Sequence, residues 1–173
     1  MKKNIIITGF MGTGKTVVAI ELASKLGMKF IDMDQLIEER QEMSIADIFV
    51  RYGEKYFREQ ENKLVQELAQ KENMVIATGG GTFLNLENSR ILNQEGQIIC
   101  LHANPQALYN RLKKKNNRPL IKGNNILNKI NHLLEKRERI YDSFPWKIDT
   151  SNLSVQEVVD KIIELLKIEK VNK

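Results

Sequence analysis

The chain has one cysteine, three prolines and two histidines, and aromatic residues make up only 6% of its 173 positions. Each scarcity excludes something. A single thiol, Cys100, cannot form an internal disulfide, and its place in the run Ile98-Ile99-Cys100-Leu101 marks it as a small core residue. His102 and His132 are far apart in the sequence, with no carboxylate or cysteine at ligand spacing, so no cage of protein ligands for a metal is expected. No apolar run approaches the roughly 18 residues that a membrane-spanning helix needs. Met1-Lys2-Lys3 leads straight into strand-like sequence and not into a signal-peptide core, which gives the expectation of a cytoplasmic protein with no membrane partner. The formal charge of +5 would suit nucleic acid. Yet the lysines are scattered, aromatics are few and no nucleic-acid signature occurs, so the basic balance points to anionic small molecules.

What is present begins at Gly9 to Thr16, GFMGTGKT, directly behind Ile5-Ile6-Ile7. Gly9, Gly14, Lys15 and Thr16 fit the pattern G-x-x-x-x-G-K-[ST], a loop whose backbone N–H groups wrap nucleotide phosphates. Glycine lets the main chain turn through positive φ and approach an anion, and the helix that follows adds about half a positive charge at the same point. Lys15 adds a full charge, and the Thr16 hydroxyl can ligate the magnesium that travels with the phosphates. A dinucleotide fingerprint fails, because Val17 stands where its third glycine would be.

The rest of the chain alternates strand and helix. A strand over 4–8 and a helix over 15–26, stopped by Gly27, lead to a short strand at 29–31 that ends in Asp32-Met33-Asp34. Helical sequence follows over 36–41, then after Ser44 as N-cap, and again over 54–71 beyond a break at Gly53. A strand over 74–78 runs into Gly79-Gly80-Gly81, where the main chain lies open to a substrate. Helices are predicted over 87–94, 105–114 and 126–141 and strands over 97–102 and 146–149. Ser154 and Glu157 form a capping box for a last helix with Val155, Val158, Val159, Ile162, Ile163 and Leu166 on its buried face. KNNRPLIKGNN, before the helix at 126, has the composition of a surface loop. With 42% hydrophobic residues and no linker or repeat, the chain is expected to be one domain spanning 1–173. The alternation predicts an α/β protein, a parallel sheet covered on both faces. Right-handed crossovers then place both glycine loops and the aspartate pair along one sheet edge.

Chemistry at that edge would be phosphoryl transfer. Asp32 or Asp34 could position magnesium or accept a proton from an attacking hydroxyl. Arg58, Arg111, Arg118 and Arg137 are candidates for anion binding, and spacing does not choose among them. Lys113 to Lys115 complement a helix C-terminus.

Taken in order, GFMGTGKT, DMD, SIADIF, YFREQE, GGG, NRPL and KRERIY resemble the shikimate kinases over nearly the whole chain. That resemblance implies a three-layer α-β-α P-loop fold with a five-stranded parallel sheet in the order 2-3-1-4-5, a substrate-binding region at about 32–62 and a lid at about 113–125. It implies transfer of the γ-phosphate of ATP to the 3-hydroxyl of shikimate, with Mg2+. The implied ATP site comprises Gly12, Thr13, Gly14, Lys15, Thr16, Arg111, Arg118 and Ser151, with Arg111 on the adenine and Arg118 the lid arginine. Asp34, Arg58, Gly79, Gly80, Gly81 and Arg137 would bind shikimate, and Lys15, Asp34 and Arg118 would act in catalysis. Thr16 and, through water, Asp32 would hold the metal. The chain departs from the family pattern at Arg137-Glu138-Arg139-Ile140-Tyr141, which lacks a proline and leaves Arg139 as an alternative to Arg137, and at Ser143-Phe144-Pro145. A monomer is expected. The rival readings are another small-metabolite P-loop kinase, such as a gluconate kinase, and a non-catalytic nucleotide-binding module.

Overall fold

Three consecutive isoleucines put apolar side chains on both sides of a strand, and such a strand is stable only inside a sheet covered on both faces. The computed structural model describes residues 4–113 and 125–166. In it β1 (Asn4–Gly9) is buried at every residue, at the centre of a five-stranded sheet. Its neighbours are β3 (Met74–Ala77) and β4 (Gly96–His102). Outside them lie β2 (Lys29–Asp32) and β5 (Lys147–Asp149), giving the order β2-β3-β1-β4-β5. All pairings are parallel, with Ile6 opposite Ile76 on one side and Ile98 on the other. The buried Asn4 side chain fastens the start of β1 to β3, donating to the Lys71 carbonyl at 2.8 Å and accepting from the Met74 N–H at 3.1 Å.

Period-two alternation divides the core. Ile5, Ile7, Val75, Ile99 and Leu101 face α1 (Lys15–Leu26) and α7 (Val155–Leu165), which bring Leu22, Val159 and Ile162. Ile6, Ile76 and Ile98 face α2 (Met33–Gln41), α3 (Ile45–Ala69) and α4 (Leu86–Glu95), which bring Ile37, Leu64, Leu68 and Leu92. Behind the end of β1, α5 (Pro105–Leu112) and α6 (Ile126–Asp142) pack Leu108, Leu112 and Ile130 around Phe10 and Met11. Each such buried Leu or Ile stabilises the fold by about 1.5 to 3 kcal/mol. The strand ends, and the loops that leave them, are thereby held in fixed positions.

Local signals set the helix ends. Gly27 takes φ 65° and ψ 29° and its N–H closes α1 on the carbonyls of Ala23 and Ser24. Gly53, at φ 82° and ψ 170°, breaks α3 where the sequence predicts a separation, and both halves of the Ser154–Glu157 capping box form. α2 starts at Met33, three residues earlier than predicted, because Asp32 caps it by accepting from the Gln35 N–H at 3.2 Å. Val155, predicted on the buried face of α7, is 39% exposed, since the first residue of that helix faces a cleft and not the sheet. Phe144, where the sequence leaves the family pattern, is buried edge-on against Phe83 at 4.9 Å. Cys100 is buried on β4, and burial pushes its thiol up to about 12, so it carries no thiolate at neutral pH. Among the described residues no helix is long and apolar enough to cross a membrane.

Candidate active site

In an open parallel sheet, ligands bind beyond the carboxyl ends of the strands. Here a cleft of about 1070 Å³ lies there, walled by the glycine loop after β1, the starts of α2 and α3, the triple glycine after β3, α5, α6 and the turn after β5. It is large enough for two small molecules side by side.

The glycine loop forms one wall. Gly9, Gly12 and Gly14 have φ of 136°, 84° and 94°. At Gly9 a side chain is also excluded by packing, since a Cβ would lie 2.0 Å from the Leu101 carbonyl oxygen of β4. Gly14 is the N-cap of α1 and has no side chain to cap it, so the first-turn N–H groups and the positive end of the helix dipole form a place suited to an anion. Lys15 Nζ donates to the carbonyls of Gly9 and Phe10, both at 3.0 Å, which holds its charge across the loop. Thr16 Oγ1 donates to Asp32 Oδ2 at 2.7 Å. A hydroxyl and a carboxylate, both hard oxygen donors, thus converge at the start of α1, as magnesium requires. Among the described residues there is no group of three or more His, Cys, Asp and Glu side chains that could hold a metal. Magnesium has little need of one, because it keeps water and phosphate oxygens as ligands.

Three glycines in a row form the middle, and each touches a different charged side chain. A Cβ at Gly79 would lie 2.8 Å from Asp34 Oδ1, one at Gly80 3.2 Å from Arg137 Nη1, and one at Gly81 2.8 Å from Arg58 Nη2. The backbone therefore comes close to a carboxylate and two guanidinium groups within one short stretch, and side chains at these positions would force those groups aside. Arg58 is held by Glu61 at 2.8 Å and Glu54 at 3.1 Å and lies over the Phe57 ring. Burial works against the Arg58 charge, and the two carboxylates outweigh it, raising the guanidinium above its ordinary value. Arg137, buried, donates to the Gly80 carbonyl at 3.0 Å and lies over the Phe10 ring. Arg139 is exposed and does not line the cleft. The helical phase of α6 therefore separates the two arginines that the sequence leaves as alternatives.

Arg111 bridges the glycine loop and the turn after β5. It donates to the Gly12 carbonyl at 3.2 Å, to Thr150 Oγ1 at 3.1 Å and to the Thr150 carbonyl at 2.5 Å. Val17, Leu153 and Val155 give the cleft apolar walls. Ser151 does not line the cleft: its hydroxyl donates to Asp149 and accepts from the Asn104 N–H. Its carbonyl receives Arg111 at 3.4 Å. Arg118 and the lid predicted at about 113–125 lie, apart from Lys113 and Asn125, outside the described residues.

Some participants carry little sequence signal. Thr150, buried, accepts from Arg111, and its hydroxyl lies 3.1 Å from the carbonyls of both Thr13 and His102. Tyr141 donates to the Gly80 carbonyl at 2.9 Å, and burial, opposed by Arg137, keeps its hydroxyl protonated above its ordinary range. Its spacing four residues after Arg137 puts both on one helix face, and that spacing was the available clue.

The family model described as Shikimate kinase matches residues 11–167. A shikimate kinase of Pelotomaculum thermopropionicum is 46% identical over 165 residues, which are 95% of this chain and 96% of that protein. Shikimate kinase from Acinetobacter baumannii in complex with shikimate superimposes with a TM-score of 0.91 at 33% identity, covering 98% of this chain and 96% of that one. A gluconokinase from Sinorhizobium meliloti, at 14% identity and a TM-score of 0.58 over 97% of each chain, shares the fold alone.

Proposed function

The chain belongs to the shikimate kinase family and is an ATP-dependent kinase, and we propose that its cleft moves the γ-phosphate of ATP onto the 3-hydroxyl of shikimate. One observation carries the proposal beyond the family: Gly79, Gly80 and Gly81 bring Asp34, Arg137 and Arg58 together beside the phosphate loop. Two guanidinium groups suit a carboxylate, each charged hydrogen bond contributing about 1.5 to 3 kcal/mol and fixing orientation. Asp34, nearby, suits a hydroxyl of the same small acid.

In this reading the loop N–H groups and Lys15 hold the outer phosphates. Thr16 and, through water, Asp32 would hold Mg2+, which supplies charge neutralisation on the transferring phosphoryl group. Asp34 orients the acceptor hydroxyl and takes its proton. Arg111 and the apolar residues Val17, Leu153 and Val155 receive the base, with the turn that starts at Thr150 bordering it. For Arg118 the proposed contact with the transferring phosphate rests on the NRPL resemblance. A single catalytic domain, a monomeric state and a cytoplasmic location belong to the same proposal and rest on the sequence.

Release of ADP with ATP and magnesium, measured with shikimate, gluconate, a panel of nucleoside monophosphates or no acceptor, tests the reading. Turnover with shikimate alone is expected. Turnover with gluconate in its place would favour the related sugar-acid kinases, and tight ATP binding without any turnover a non-catalytic module. In the same assay Arg137→Ala is expected to raise the KM for shikimate by roughly 10- to 100-fold, the weight of one charged hydrogen bond. Arg139→Ala should stay within about twofold, as an exposed charge does. The reverse ranking would reassign the second arginine.

A further inference from the structure

Glu61 is 1% exposed, although it is a carboxylate in the middle of a helix. A buried carboxylate needs partners for both oxygens. Oε2 receives Arg58 at 2.8 Å; Oε1 receives the Thr82 hydroxyl at 2.6 Å, the first residue after the triple glycine. Thr82 is itself fully buried, and its carbonyl accepts from Asn88 Nδ2 at 3.3 Å, while Asn88 Oδ1 accepts from Asn62 Nδ2 at 2.9 Å. Among the described residues no buried side-chain polar atom lacks a partner. The chain of bonds thus runs from α3 and α4 through Thr82 and Glu61 to Arg58 without a gap.

The Glu61 oxygen that Thr82 holds faces Gly79, as Asp34 does. Glu61 Oε1 and Asp34 Oδ1 lie 2.9 and 2.8 Å from the same point, the Cβ that Gly79 lacks. Two carboxylates facing one glycine repel, which favours a fixed rotamer for each. A hydroxyl donating to Oε1 fixes the rotamer of Glu61 and leaves Oε2 aimed at Arg58. We infer that Thr82 is a positioning residue for substrate binding, acting through Glu61 to hold Arg58 in the orientation that receives the acceptor's carboxylate. This rests on the reading of Arg58 as a carboxylate-binding residue.

Thr82→Val keeps the branched shape and removes the donor. In steady-state assays it is expected to raise the KM for shikimate about tenfold, the lower end of what one hydrogen bond to a charged group carries, since Thr82 acts through Glu61. The KM for ATP should stay unchanged and kcat should fall less than about threefold, a split that a general loss of packing does not produce. Thr82→Ser, which restores the hydroxyl, should return the KM to within about twofold of the parent. Should the valine variant fail to fold, Thr82→Ala carries the same expectation. Coupling is read from a cycle with Arg58→Lys, where effects acting through one carboxylate are non-additive and independent effects add. A normal KM for shikimate, additive effects in the cycle, or parallel loss of both KM values and kcat would each overturn the inference. Arg58→Ala separates the two levels. If it raises the KM for shikimate while Thr82→Val leaves it unmoved, Thr82 alone loses its role; if it leaves the KM unmoved, the carboxylate reading of Arg58 falls and the inference with it.

Discussion

Lys15→Ala is expected to lower kcat/KM for ATP by about three orders of magnitude, the loss that follows removal of a preorganised charge from a transferring phosphoryl group. Without ligand, Lys15 Nζ is held by the carbonyls of Gly9 and Phe10, groups of the loop itself. Bound phosphate oxygens would offer the ammonium much stronger partners in the same place. The side chain is partly exposed and stands at the first position of α1, where alanine is a good helix former, so the melting temperature should move by only a few degrees. Loss of rate with an intact fold is the expected signature. Calorimetric titration with ADP would show weaker nucleotide binding alongside it. Turnover within tenfold of the parent would remove Lys15 from the phosphate site, whatever the motif suggests.

The parts of this site that lie close together in sequence were legible there. The glycine loop, the break at Gly53 and the Ser154 capping box follow local rules of φ, capping and periodicity, and the structure places them where those rules do. The order of the strands came through resemblance, because alternation alone fixes a parallel sheet and not its sequence of neighbours. Charged side chains were harder. Arg111 meets Thr150 across 39 residues and Arg137 meets Gly80 across 57, so only the packed sheet edge brings these partners together. At Ser151 the side chain serves the turn, through Asp149 and Asn104, while the backbone carbonyl meets Arg111, a division that the sequence does not show. Thr82 carried no pattern at all, since a threonine after glycines is ordinary until a buried carboxylate is found against it.

Residue type and spacing left Asp32 and Asp34 equivalent, the resemblance assigned them separate roles, and their surroundings differ. Asp32 uses one oxygen to cap α2 and the other to receive Thr16, which ties it to the start of α1. Asp34, in the first turn of α2, approaches Gly79 on the side of the arginines. Asp34→Asn is therefore expected to reduce kcat by about 10²- to 10⁴-fold, the range for loss of a general base, with the KM for ATP unchanged. Asparagine keeps the size and one accepting oxygen but cannot take a proton. It also leaves a neutral residue in the first turn of the helix, at a cost of about 0.3 to 1 kcal/mol from the lost dipole interaction, too little to unfold the chain. The substitution thus separates proton transfer from orientation. A variant that retains a tenth or more of the parent kcat would show that Asp34 only positions the hydroxyl and that the proton leaves by another route. Collapse of kcat with shikimate still bound, read by equilibrium titration, would place proton abstraction at Asp34 and leave acceptor grip to Arg58 and Arg137.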